Sequence, residues 1–144
     1  MADEKVLNAE NLKRAVLENV DMECAVFSGS NLFCAAVTNS TLDEMRIEES
    51  SMENAQSRNM AMRGTSFQSL DMHGAAFANA NLTGAEVKHL DMSGAKLEHL
   101  SMADSVFESI GFSGAQFNKC IWGNATIDGI PVRDLLSAYK ELHN

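Results

Sequence analysis

A large apolar residue recurs at every fifth position of this chain, from Leu7 to Ile127, with no insertion or deletion in the register. Of the 25 positions in that series only Ser57 is polar. A five-residue period matches neither a helix of 3.6 residues per turn nor a strand alternating in twos. It requires a repeat architecture, in which short extended sides are joined by tight corners.

Two residues before each large position stands a second column that is mostly small or apolar. With two inward positions in five, each pentad reads as one short side followed by a turn. Gly29, Gly64, Gly74, Gly84, Gly94, Gly114 and Gly129 fall two residues after a large position. A corner there needs backbone freedom that glycine has.

The number of sides per coil follows from comparing the chain with itself. At a spacing of 20 the small column reads Ala15, Ala35, Ala55, Ala75, Ala95 and Ala115. One corner column repeats at the same spacing as Asn19, Asn39, Asn59 and Asn79 before changing to His99 and Lys119. Asparagine tolerates left-handed backbone and can stack its amide along a ladder. Four five-residue sides therefore make one coil of 20, and residues 10–129 hold about six coils.

The pentads Ala80-Asn81-Leu82-Thr83-Gly84, Leu70-Asp71-Met72-His73-Gly74, Leu90-Asp91-Met92-Ser93-Gly94 and Ser30-Asn31-Leu32 resemble the repeat unit of the pentapeptide-repeat family. The resemblance covers roughly residues 7–130. It implies an all-β fold, a right-handed quadrilateral β-helix (β-solenoid). Frequent Met at the large position, and Leu, Met or Ile at the small one, depart from the family pattern.

Stacked coils predict an interior of like-placed side chains. One column reads Met22, Leu42, Met62, Leu82, Met102, Trp122, and its neighbour Phe27, Ile47, Phe67, Val87, Phe107, Ile127. Alternation of bulky and slimmer residues lets layers interdigitate. Ser57, beside Ala55, marks an underfilled layer, with Met45, Met52, Met60 and Met62 as adaptable neighbours. Asp21, Asp71 and Asp91, each just before a large residue, are expected to bind nearby amides.

The whole of 1–144 reads as one domain, and solenoid ends need caps. Residues 1–9 are expected to form an N-terminal cap or a frayed first turn, partly helical over 3–9, since Glu10 occupies a small inward slot. After Asp128-Gly129, Pro131 suits the first turn of a helix. Val132, Leu135, Leu136, Tyr139 and Leu142 then follow at helical spacing. The helix over 131–142 is expected to lay this face on the last coil, or to donate part of it to a second copy in a homodimer.

Candidate chemistry is sparse. Cys24 and Cys34 lie ten residues apart, as do His89 and His99, which puts each pair on opposite sides of a 20-residue coil. Cys120 takes a small inward slot, and His73 and His143 have no companions in the pattern. The sequence carries no metal-ligand spacing, phosphate loop or nucleophile motif, so no enzyme activity, cofactor or metal is expected. Three cysteines and an N-terminus without an apolar signal segment point to a reducing cytoplasm. No apolar run reaches membrane-spanning length.

The net charge of −9 disfavours direct nucleic-acid binding and favours solubility or a basic partner. Asp43, Glu44, Glu48, Glu49 and Glu53 form an acidic belt around nearly three sides of the third coil, opposed by Arg46 and Arg58. The reading is a non-catalytic protein-binding or scaffold solenoid of unknown partner. The family resemblance implies an alternative: an acidic DNA mimic that inhibits or protects a type II topoisomerase such as DNA gyrase. Bases at Arg58, Arg63, Lys88 and Lys96 interrupt the charge and weaken that alternative.

Overall fold

A computed structural model describes residues 6–7 and 12–143 of the chain. In chain order its strands are β1 (Val6–Leu7), β2 (Val16–Glu18), β3 (Val26–Ser28), β4 (Ala36–Thr41) and β5 (Arg46–Glu48). They continue as β6 (Gln56–Ala61), β7 (Ser66–Gln68), β8 (Ala76–Asn81), β9 (Glu86–Asp91) and β10 (Lys96–Glu98). The last are β11 (Val106–Gly111), β12 (Gln116–Asn118), β13 (Thr126–Ile127) and β14 (Ile130–Pro131), followed by α1 (Val132–Leu142).

Odd-numbered strands build one sheet, in the order β1-β3-β5-β7-β9-β11-β13, which β14 then closes. Even-numbered strands build the opposite sheet, from β2 at one edge to β12 at the other. Pairing between successive coils is parallel at a register of 20, as in Phe27 with Ile47 and Val37 with Ser57. The two remaining sides are joined by single bridges such as Asn31–Ser51 and Ser101–Ile121. The molecule is thus a four-sided β-solenoid of about six coils with one short C-terminal helix.

Corners alternate between two constructions. At every second corner, from the one after Leu12 to the one after Trp122, the turn is tight, and its own hydrogen bond closes it, as from the Ala15 N–H to the Leu12 carbonyl at 3.0 Å. At several of the other corners the strand bends without breaking, so β4, β6 and β8 run through Asn39, Asn59 and Asn79. Both constructions need a positive φ two residues after the large position, as in Asn39 at 51° and Gly84 at 72°. Glycine accepts that geometry freely, and asparagine better than most residues. Five of the seven corner glycines named above (Gly64, Gly74, Gly84, Gly94 and Gly114) occupy tight turns.

The second inward column is equally enclosed: Ala25, Ala75 and Ala95 are fully buried, as are the bulkier Leu100 and Met45. Asx turns stiffen the sides, as the sequence suggests. Asp21, Asp71 and Asp91 accept the N–H of the residue two further on, at 3.2, 3.0 and 2.9 Å. Asn31 and Asn81 do the same at 3.1 and 3.0 Å. The amide ladder is present between Asn59, which donates, and Asn39, at 3.0 Å.

Large-column residues from Phe27 to Phe107 are buried, whereas Leu12, Leu17 and Met22 at one end and Phe112, Phe117 and Trp122 at the other are only partly covered. Ser57 sits in the interior between Val37 and Phe77 of its column and lines a small core cavity with Val37, Met45, Met52 and Met62. Replacing Ser57 by valine trades a buried hydroxyl for two methyl groups. The expected gain is about 1–2 kcal/mol, seen as a rise of several degrees in the thermal midpoint. An unchanged or lower midpoint would show that this layer is already full.

Both termini differ from the sequence reading. Val6 and Leu7 pair with Val26 and Phe27, so the repeat geometry already holds at β1 and the helical reading of 3–9 fails there. The remainder of 1–9, with Glu10, lies outside the described residues. At the other end α1 forms, but its apolar face does not lie on the last coil. Only Val132 is buried, while Leu135, Leu136, Tyr139 and Leu142 are 39%, 48%, 62% and 81% exposed. The cause is a two-residue hairpin: Asp128 and Gly129 both take positive φ, at 48° and 80°. That combination is the type I′ geometry favoured by Asp-Gly. It folds β14 back antiparallel on β13, with Ile130 opposite Ile127. A strand, not the helix, closes this sheet.

Candidate functional surface

The expected acidic belt is divided by its surroundings. Asp43 is 7% exposed, and Arg63, one coil above, holds it. The Arg63 backbone N–H donates to one carboxylate oxygen and the guanidinium to the other, both at 2.8 Å. Hydrogen bonding to the Arg63 side chain keeps the Asp43 carboxyl below the usual carboxylate range, against the opposing effect of burial. Asp43 is therefore a structural anchor and leaves the belt. Glu44 and Glu49 are exposed at successive left-handed corners, while Glu48 on β5 and Glu53 around the next corner are half-buried. These four project from three sides of one coil, so the charge circles the rod.

A shallow polar groove crosses the Asp43 side, lined by Glu23, Cys24, Asp43, Glu44, Arg63 and Gly64. The Cys24 thiol there donates to Glu44 Oε2 at 3.5 Å. Cys24–Glu44 and Asp43–Arg63 are both stacked pairs separated by 20 residues. Sequence reasoning set Arg46 and Arg58 against the belt and named Arg63 only as a base interrupting the charge, missing its pairing with Asp43, although the 20-residue period places it directly above that residue.

Protonating Asp43, which its lowered pKa defers to pH below the usual carboxylate range, should remove the Arg63 attachment. Because the folded-state pKa is lowered, the stabilisation is present above the unfolded value and is lost as pH falls through the folded one. Arg63→Met should therefore be less stable than the parent at pH 7, and the two should converge in denaturant titrations as the pH is lowered through the Asp43 titration. A gap independent of pH would contradict the assignment.

Elsewhere the titratable residues are dispersed. Cys34 is half-buried. The Cys120 thiol donates weakly to the carbonyls of Leu97 and Asn118 at 3.6 and 3.5 Å, and burial pushes its pKa up, away from thiolate reactivity. His89 and His99 form left-handed corners, His99 lying 3.8 Å from Glu98. His73 contributes its backbone N–H to Asp71. His143 follows α1 and stacks on Tyr139 with ring centroids 4.1 Å apart. Hydrogen bonds from Ser93, the side chain above all, hold Asp91 below the carboxylate range. Among the described residues no three His, Cys, Asp or Glu gather as a metal site would require. None of their helices is long and apolar enough to cross a membrane.

Four sides, a register of 20 and a continuous apolar interior define a quadrilateral β-solenoid. The family model for pentapeptide repeats matches residues 11–44 and 62–98 in eight copies. The chain belongs to the pentapeptide-repeat family. The unmatched stretch between those segments contains Met45, Ser57 and Met60, which depart most from the repeat pattern. The sequence matches no curated protein.

Among solved structures the chain is similar to a pentapeptide repeat protein, Rfr23, from the cyanobacterium Cyanothece 51142. That match has 15% identity and a TM-score of 0.49, covering 88% of this chain and 90% of the other. It is also similar to full-length QnrB1, a plasmid-mediated fluoroquinolone resistance protein, at 16% identity and a TM-score of 0.48, covering 85% and 71%. A pentapeptide repeat protein of the Arabidopsis thaliana thylakoid lumen matches at 20% identity and a TM-score of 0.42, covering 83% and 73%.

Proposed function

We propose that this protein is a non-catalytic binding or scaffold solenoid, working in a reducing cytoplasm, whose third coil meets a basic surface on a protein partner. The supporting observation is the placement of Glu44 and Glu49 at consecutive exposed corners, with Glu48 between them and Glu53 beyond. Backbone ladders fix the four Cα positions relative to one another. The Glu49 N–H, for example, donates to the Gln68 carbonyl at 3.1 Å. A preorganised array of like charge favours association with an opposite one, and its backbone is already ordered before binding.

Affinity capture from the native host with the parent chain and with a Glu48→Lys, Glu49→Lys, Glu53→Lys variant tests this. The expected outcome is a partner retained by the parent and lost by the variant, with circular dichroism unchanged. Equal retention by both chains would move the binding surface elsewhere.

Mimicry of duplex DNA toward a type II topoisomerase is the second reading, resting on the family resemblance and the net charge of −9. A ring of acids matches a duplex less well than two lengthwise stripes would. Inhibition of gyrase supercoiling, or its protection from quinolones, would favour this reading over a general scaffold.

The exposed face of α1 supports a further part of the proposal, pairing with a second copy. Leu135, Leu136, Tyr139 and Leu142 form an apolar stripe that the solenoid leaves uncovered, and such stripes mark interaction sites.

A further inference from the structure

We draw no further inference here: the strongest candidate, the unpaired edge of β12 with partly covered Phe117 and Trp122 at the C-terminal end of the rod, carries nothing, because nothing in the structure shows what covers it.

Discussion

Replacing Phe67 by alanine should cost about 3–5 kcal/mol of unfolding free energy. Its ring is 3% exposed, stands between Ile47 and Val87 in its column, and meets Phe77 edge-on with centroids 6.5 Å apart. Such a pair adds to the simple burial of area. The size of the loss depends on whether neighbours can close the gap. Here the backbone resists collapse: the Ser66 N–H donates to the Met45 carbonyl below, and the Glu86 N–H above donates to the Thr65 carbonyl, both at 2.9 Å. Coil spacing is thereby set by the ladder, independently of what fills it. Equilibrium unfolding in guanidinium, with folded-state circular dichroism as control, measures the loss. A change under about 1 kcal/mol would mean that the interior repacks, contrary to dense core behaviour.

The second large effect concerns assembly. Light scattering of the parent chain should show two copies at micromolar concentration, and the triple variant Leu135→Ser, Leu136→Ser, Leu142→Ser should show one. Buried apolar anchors each contribute on the order of 1–2 kcal/mol or more at an interface. Three removed together should weaken self-association by at least a hundredfold, using about 1.4 kcal/mol per factor of ten. The thermal midpoint of the dilute variant should match that of the dilute parent, since Val132, the buried residue of α1, is untouched. A parent chain that stays single at tens of micromolar would overturn the pairing. A variant that fails to fold would show instead that α1 supports the last coil.

The repeat was legible because its determinants are local and redundant. Each pentad states its inward residues, and the alanine column fixes the count of sides. The corners were legible for the same reason, since glycine and asparagine mark positive φ. Yet Cys24, Cys34 and Glu44 take that conformation too, at 60°, 55° and 59°, because a closed square imposes it on whatever residue arrives there. Asp128-Gly129 carried an equally readable signal. Taken as a boundary before a helix, it hid the hairpin that closes one sheet and left α1 without its expected support.

The candidate surface was read less completely. Acid positions follow from the period, but their availability depends on what lies one coil away. Asp43 became an anchor only through Arg63, and Glu44 a thiol acceptor only through Cys24. Side-chain reach across a ladder decides such pairings, and a count along the chain does not supply it. Partner identity is further removed still, because it depends on complementarity with a molecule the sequence does not contain.

The register of 20 restricts how such a chain can change length. Loss of one residue on a side would turn every later apolar side chain away from the interior. Loss of five would preserve the inward pattern but rotate the remaining rod by one side, placing Ala75 and its column where leucine now stands at Leu70 and Leu90. Only a deletion or duplication of 20 returns each residue to its own column. Gene duplication can therefore lengthen this protein by whole coils, while small insertions are confined to its corners.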